Sequence, residues 1–157
     1  MENLQKNLEK LTVQEKLNLL SGDGLWYIKH NEKLGLKRFM MTDGPHGLRK
    51  QASNDAMGIA ASHPATCFPT ASLLACSFDT NLMYELGQAL AKEAIHQDVS
   101  LILGPGINMK RSPLCGRNFE YFSEDPLLAG TLSKSYIEGV QSLNVGTCLK
   151  HYFANNQ

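Results

Sequence analysis

Three apolar segments alternate with longer amphipathic segments along this chain of 157 residues, and this alternation restricts its fold more than any other feature. The apolar segments lie at about residues 38–42 and within residues 99–108 and 145–153. The second and third each follow a segment of helical periodicity, at residues 80–97 and 126–143. Strands that alternate with helices form βαβ units around a parallel sheet. The sequence therefore predicts an α/β fold.

Polar residues at the expected helix starts support these positions. Thr12 and Glu15 have the spacing of a capping box in front of a short helix. Asp79 is a suitable N-cap for the first long helix. Asp125 followed by Pro126 combines an N-cap with a proline at the first helical position, where the missing N–H costs nothing.

Apolar residues in both long helices recur at the spacing of a buried stripe. These residues are Leu82, Leu86 and Leu90 in the first helix, and Leu128, Leu132, Tyr136 and Val140 in the second. Residues 69–77 are also apolar, but the segment is too short for periodicity to distinguish a strand from a helix.

Composition and charge exclude several classes of function. Hydrophobic residues make up 43% of the chain and charged residues 19%, which is typical of a globular protein. The 15 basic residues are balanced by 15 acidic ones, so no basic surplus indicates nucleic-acid binding. No apolar stretch approaches the roughly 18 residues of a transmembrane helix. We expect a domain that binds neither nucleic acid nor a membrane.

The cysteines and the first residues of the chain bear on cofactors and location. The four cysteines form no CxxC pair, and the sequence has neither an HExxH motif nor a ligand cluster at metal spacing, so no metal or other cofactor is predicted. Residues 1–12 are amphipathic and of mixed charge, unlike a signal peptide. We therefore expect a cytoplasmic location, with reduced and mostly buried thiols.

Polar side chains follow each predicted strand at the point where it ends. Asp43 follows the first strand, a polar loop follows the second, and Lys150 and His151 follow the third. The carboxyl ends of parallel strands share one face of an α/β fold, and ligands bind there. The sequence thus predicts a site with one wall from residues 43–49, one from residues 104–120 and one from the Lys150–His151 pair.

The residue types in this set suit a ligand with several hydroxyl groups. A carboxylate such as Asp43 accepts hydrogen bonds from hydroxyls, and the guanidinium groups of Arg49 and Arg117 donate in pairs. Taken by itself, Asp43 is more typical of a turn residue that bonds its own backbone, and His46 of a solvated loop residue. Arg117 has no such structural explanation, because the start of the following helix does not require an arginine eight residues upstream.

Four segments resemble the N-terminal barrel domain of family 3 glycoside hydrolases: MTDGPHGLR, FPTASLLACSFD, GPGINMKRSPLCGRNFEYFSEDP and LKHYFANNQ. They occur in the family's order and extend over nearly the whole chain, with the strongest resemblance to the β-glucosidase branch. The resemblance implies a TIM-type (β/α) barrel. A complete barrel takes about 250 residues, so we expect residues 1–157 to form the N-terminal half only, as a partial domain truncated at its C-terminus.

The resemblance also implies roles for individual residues. Asp43 would bind hydroxyl groups of the sugar whose bond is broken, and Arg49, Arg117, Lys150 and His151 would line the same substrate-binding subsite. The family's retaining mechanism uses an aspartate nucleophile on a later barrel strand and an acid/base glutamate from a following domain. Both are expected beyond Gln157, so no residue here is predicted to be catalytic and the chain alone is expected to be inactive.

One pair of carboxyl groups in the chain could suggest a catalytic role, which we do not predict. Retaining hydrolysis requires two carboxyl groups about 5 Å apart, and Asp43 with Glu120 is the pair that invites this assignment. Asp43, however, matches a binding position, and Glu120 lies in a stretch expected to shape its loop.

The predicted function is therefore part of a retaining β-glucosidase-like hydrolase that removes terminal β-D-glucosyl residues from small glycosides. A β-xylosidase or another family 3 activity is the alternative within the family, although KHYFANNQ does not fit the KHFPGHG-like element of the N-acetylglucosaminidase branch. A non-catalytic sugar-binding or assembly half-barrel is the alternative from another class. The expected partners are a β-glucoside or small oligosaccharide, the remainder of the barrel with its following domain, and a second copy of the chain, because an incomplete barrel has open edges.

Overall fold

The structure is a computed structural model that describes residues 2–53 and 61–155. Its helices are α1 (Glu2–Glu9), α2 (Val13–Leu19), α3 (Ala71–Ala75), α4 (Thr80–His96) and α5 (Pro126–Gln141). Its strands are β1 (Gly22–Asp23), β2 (Tyr27–Ile28), β3 (Phe39–Asp43), β4 (Leu101–Leu103) and β5 (Gly146–Thr147). The strands form one sheet in the order β1-β2-β3-β4-β5.

The second half of the sheet is parallel, as the sequence predicts. α4 connects β3 to its neighbour β4, and α5 connects β4 to β5. Ile102 pairs with Thr42 on one side and with Thr147 on the other, while Asp43 pairs with Leu103. The three parallel strands are therefore in register, and their carboxyl ends lie together. This arrangement confirms the α/β prediction.

The first half of the sheet is antiparallel and was not predicted. β1 and β2 form a hairpin, and β2 also pairs antiparallel with β3. Arg38 stabilises this hairpin, because its guanidinium lies 3.5 Å from the centre of the Tyr27 ring and its Nε is 2.5 Å from Asp23 Oδ2. The hairpin thereby covers the edge of β3 that β4 leaves open.

The predicted N-caps are confirmed. Asp79 accepts hydrogen bonds from the backbone N–H groups of Asn81 and Leu82, and Asp125 accepts one from Leu127. The capping box before α2 is complete. The apolar segment left open between strand and helix contains α3, so it is helical at its centre.

The core lies between the parallel strands and helices α3, α4 and α5. Its largest members, each less than 2% exposed, include Met83, Leu90, Ile102, Leu132, Tyr136 and Val140. One stripe residue was predicted wrongly: Leu82 is 41% exposed, because it lies on the outer face of α4.

Two further predictions about burial are wrong. The apolar segment within residues 145–153 is predicted to be a buried strand, but only Gly146–Thr147 form a strand and Leu149 beyond them is 50% exposed. β5 is the last strand of the described sheet, so this end has no neighbouring strand to cover it. The thiols are mostly exposed rather than buried: Cys67, Cys76 and Cys148 are exposed and Cys115 is buried.

Helices α4 and α5 cross where two glycines bring their backbones into contact. A Cβ on Gly139 would lie 2.2 Å from the carbonyl oxygen of Tyr84, and a Cβ on Gly87 would lie 2.4 Å from that of Tyr136. We expect Gly139→Ala to lower the free energy of unfolding by about 1–3 kcal/mol, because the helices must separate. Gly130→Ala, also on α5, should raise it by up to about 1 kcal/mol, since an added Cβ there meets nothing within 4 Å. Urea denaturation of both variants measures the difference, and equal effects would contradict the close crossing.

Candidate functional site

The predicted site residues lie at the carboxyl ends of the parallel strands. Asp43 is the last residue of β3, and Lys150 and His151 follow β5. The loop after β4 returns to this end of the sheet, because Gly106 forms single β-bridges with both Tyr121 and Lys150. The structure thus brings the loop that contains Arg117 to the same face.

An ion pair joins the first and last of these strands. Lys150 Nζ lies 2.9 Å from Asp43 Oδ1, and the lysine side chain is 14% exposed while that of Asp43 is 40% exposed. Burial alone would raise the pKa of the Asp43 carboxyl. The hydrogen bond and charge of Lys150, assisted by the Gly44 N–H and the charge of Arg49, outweigh this effect and lower the pKa. Asp43 is therefore an ionised acceptor that faces solvent.

A second contact joins Arg117 to His151 and determines which nitrogen of the ring carries the proton. Arg117 Nη2 lies 2.7 Å from His151 Nε2. Arginine can only donate, so Nε2 accepts and the neutral imidazole carries its proton on Nδ1. Burial, and then the positive charge of Arg117, lower the pKa of His151, which favours this neutral form.

Residues from two other segments hold the opposite side of the His151 ring. Nδ1 lies 2.9 Å from Tyr121 Oη and 3.3 Å from Asn108 Oδ1. Asn108 Oδ1 also accepts a hydrogen bond of 2.8 Å from the His151 backbone N–H, and Asn155 Nδ2 donates to Tyr121 Oη at 2.8 Å. The imidazole is thus fixed from three directions.

Glu120 contacts two members of this cluster, although the sequence predicts only that it helps to shape its loop. Its side chain is 6% exposed, its Oε1 accepts a hydrogen bond from Arg117 Nε, and its Oε2 is 3.6 Å from Lys150 Nζ. Arg117 and Glu120 are three residues apart around the short 3-10 helix Asn118–Glu120, and this spacing was the available sequence signal. Two carboxylates and two cations therefore form one connected network.

Arg49 and His46 lie on the loop after β3. Arg49 is exposed, and its backbone N–H donates to the carbonyl oxygen of Asp43 at 2.9 Å. Its place in the substrate-binding subsite stays a prediction.

His46 is not the solvated residue that we expected: it is half-buried, both ring nitrogens are buried, and its ring centre lies 6.5 Å from that of Phe119. Burial lowers the pKa of His46 despite the nearby charge of Glu120.

The lowered pKa values of His46 and His151 make the stability of the fold depend on pH. Both have folded-state pKa values below the ordinary value near 6.5, so the unfolded chain binds more protons as the pH falls. The contribution of these two histidines to stability should be constant above about pH 7 and decrease as the pH falls through about 6.5 toward the lowered values. We expect the urea midpoint to decrease from pH 7 to about pH 5, and His151→Gln and His46→Gln each to reduce this decrease. A midpoint that does not change with pH over this range would contradict the prediction.

Two classes of feature were not found in residues 2–53 and 61–155. No group of three or more His, Cys, Asp or Glu side chains is arranged to hold a metal ion. In the same part of the chain, no helix is both long enough and apolar enough to cross a membrane.

Comparison with known proteins relates the chain to one family. Residues 29–157 match the family model of the glycosyl hydrolase family 3 N-terminal domain. The chain is 55% identical over 155 residues to thermostable β-glucosidase B of Acetivibrio thermocellus, covering 98% of this chain and 20% of that protein. It is 48% identical over 158 residues to an exo-α-(1→6)-L-arabinopyranosidase of Bifidobacterium longum, covering 99% of this chain and 21% of that protein. The chain thus spans about a fifth of the length of these relatives.

The fold is shared with solved structures of the same kind. β-Glucosidase 3B of Thermotoga neapolitana, solved in complex with α-D-glucose, superposes with a TM-score of 0.81 at 36% identity. The match covers 99% of this chain and 24% of that structure. The parallel strands and their connecting helices are therefore part of a TIM-type (β/α) barrel, as predicted.

Proposed function

Because the chain belongs to glycoside hydrolase family 3, we propose that it forms part of a retaining β-glucosidase-like hydrolase and supplies substrate-binding residues. The substrate is a small glycoside with a terminal β-D-glucosyl residue. One observation carries the proposal: Asp43, Lys150, His151 and Arg117 converge at the carboxyl ends of parallel strands, where barrels bind their ligands. The β-glucosidase from T. neapolitana, solved with glucose, supports it.

The network provides both kinds of hydrogen-bonding group that a sugar ring requires. The ionised Asp43 carboxylate accepts from hydroxyl groups, while Arg117 and Lys150 donate to hydroxyl oxygens. Because the ion pairs hold these groups in place before the sugar arrives, little ordering entropy is lost on binding. These residues bind and orient the sugar.

The covalent step requires groups of a different kind. A retaining hydrolase uses two carboxyl groups about 5 Å apart that flank the scissile bond. We propose that both come from outside residues 1–157. A polypeptide of these residues alone should therefore give no turnover of 4-nitrophenyl β-D-glucopyranoside above the buffer rate. Turnover that copurifies with it and is lost in Asp43→Asn would contradict this assignment.

A second activity is favoured by one of the relatives. The 48% identical protein from B. longum is an exo-α-(1→6)-L-arabinopyranosidase. Action on a pentopyranoside, as in that enzyme or in a β-xylosidase, is therefore the alternative. Xylose lacks the hydroxymethyl group of glucose, and α-L-arabinopyranose also has the opposite orientation at C4. A few contacts to these positions are enough to discriminate between the substrates.

Three chromogenic substrates separate these activities. The enzyme expressed from its complete coding region is assayed with the 4-nitrophenyl derivatives of β-D-glucopyranose, β-D-xylopyranose and α-L-arabinopyranose. The proposal requires the highest kcat/KM for the glucoside. A higher value for either pentoside favours the alternative activity. Glucose binding without hydrolysis of any substrate would indicate a non-catalytic sugar-binding protein instead.

Location and assembly are also proposals. A cytoplasmic location is supported by the exposed free thiols of Cys67 and Cys76, which persist best in a reducing compartment.

Leu149, Tyr152 and Phe153, next to the last described strand, are each at least 50% exposed. Apolar surface of this kind is typical of an interface, either with the remainder of the barrel or with a second copy. Light scattering of residues 1–157 and of the complete enzyme distinguishes these two partners, since self-association of both favours the second copy.

A further inference from the structure

We propose that Glu120 is a positioning residue that holds Arg117 and Lys150 in the geometry required for sugar binding. The inference rests on the proposed function and deepens it, because it concerns how the same site keeps its shape. It assigns a role to a buried carboxylate that does not itself reach the ligand.

Each carboxylate oxygen of Glu120 faces a different cation, one Arg117 and the other Lys150. Its Oε1 accepts from Arg117 Nε, and its Oε2 lies 3.6 Å from Lys150 Nζ. The side chain is 6% exposed, whereas those of Asp43 and Arg117 are 40% and 38% exposed. Glu120 is thus enclosed by the groups it contacts, while two groups of the same network remain open to a ligand.

The contact with Arg117 determines the direction in which the guanidinium points. A guanidinium is planar and rigid, so fixing its Nε also fixes the direction of its terminal nitrogens. With Nε bound to Glu120, Nη2 lies 2.7 Å from His151 Nε2. Glu120 therefore links Arg117 to the imidazole indirectly, and displacement of its carboxylate would displace both.

The contact with Lys150 has a complementary effect. Lys150 lies between two carboxylates, 2.9 Å from Asp43 and 3.6 Å from Glu120. Without Glu120, the ammonium would be held by Asp43 alone, and the two cations would lose the negative charge that separates them. Asp43 would then be drawn into a tighter pair with Lys150 and would be less free to accept from a sugar hydroxyl.

Shortening this carboxylate by one methylene group tests the role without removing its charge. In the complete enzyme, we expect Glu120→Asp to lower kcat/KM for 4-nitrophenyl β-D-glucopyranoside by about a hundredfold, because displacing binding groups by about 1 Å has this effect. The inhibition constant of glucose should rise at least about tenfold. Glu124→Asp is the matched control, since Glu124 is an exposed carboxylate on the same loop, and it should change neither value.

A double-mutant cycle shows whether Glu120 acts through Arg117. In an Arg117→Lys background, the penalty of Glu120→Asp should shrink to less than about tenfold, because the guanidinium that it directs is absent. An undiminished penalty overturns the inference. It is also overturned if Glu120→Asp lowers the melting temperature while folded enzyme keeps the wild-type glucose inhibition constant.

The failure of the proposed function would be recognised separately. If wild-type enzyme hydrolyses none of the glycosides, that proposal fails, and glucose binding by calorimetry becomes the test of Glu120. Weaker glucose binding by Glu120→Asp than by Glu124→Asp supports the positioning role in that case. Equal binding, or no glucose binding by the wild type, overturns it.

Discussion

Replacing Asp43 by asparagine is expected to lower kcat/KM for an aryl β-glucoside by at least about a hundredfold. Asparagine keeps the size of the side chain and removes its charge. Hydrogen bonds between a charged group and a hydroxyl contribute roughly 1.5–3 kcal/mol each, and a carboxylate can accept two from neighbouring hydroxyls. Asp43 is 40% exposed and is kept ionised by Lys150, so it can accept from a ligand at neutral pH.

The measurement compares Asp43→Asn with a matched aspartate at the opposite end of the sheet. Asp98 is exposed and precedes β4, whereas Asp43 ends the neighbouring β3. Asp98→Asn should leave kcat/KM of the complete enzyme unchanged. A loss of less than threefold in Asp43→Asn would reduce Asp43 to a turn residue that bonds its own backbone.

The sequence predicted best those elements that are marked by a pattern within their own residues. α4 and α5 are long enough for a stripe of buried residues to be recognised, and Asp79 and Asp125 mark their first residues. β1 and β2 have two residues each, which is too short for any alternation of polar and apolar side chains. Their pairing depends on the free edge of β3, and an edge is a property of the assembled sheet.

The site was predictable to the extent that strand ends determine it. Parallel strands bring their carboxyl ends together, and this placed Asp43, Lys150 and His151 near one another. Glu120 could not be assigned in the same way, because it lies in the loop after β4 and not at the end of a strand. The partial burial of His46 likewise depends on residues from other loops, such as Phe119.

Lys150→Met is expected to reduce stability as well as sugar binding. A lysine at a strand end is usually solvated and has little packing to lose, so from the sequence alone we expect Lys150→Ala to leave the melting temperature nearly unchanged. The structure reverses that expectation, because Lys150 is 14% exposed and its ammonium lies between the carboxylates of Asp43 and Glu120. Removing one partner of a buried ion pair costs about 3–5 kcal/mol.

The exposure of Asp43 reduces this cost, because water screens part of its charge. We therefore expect Lys150→Met to lower the free energy of unfolding by about 2–4 kcal/mol at pH 7. Glucose should also inhibit the complete enzyme at least about tenfold less strongly, since a charged donor to its hydroxyls is lost. Urea denaturation and inhibition assays measure the two effects.

Lys134→Met provides the control that separates burial from charge. Lys134 is 75% exposed on α5, and its Nζ lies 3.7 Å from Glu138, which is 56% exposed. An exposed pair contributes at most about 1 kcal/mol, so this substitution should change stability little and glucose inhibition not at all. The Lys150→Met penalty should also shrink as the pH falls toward the range in which Asp43 is protonated, because a neutral carboxyl group no longer needs a cation. Equal losses of stability in the two variants, or a Lys150→Met penalty that does not change with pH, would show that the ammonium does not hold the two carboxylates together.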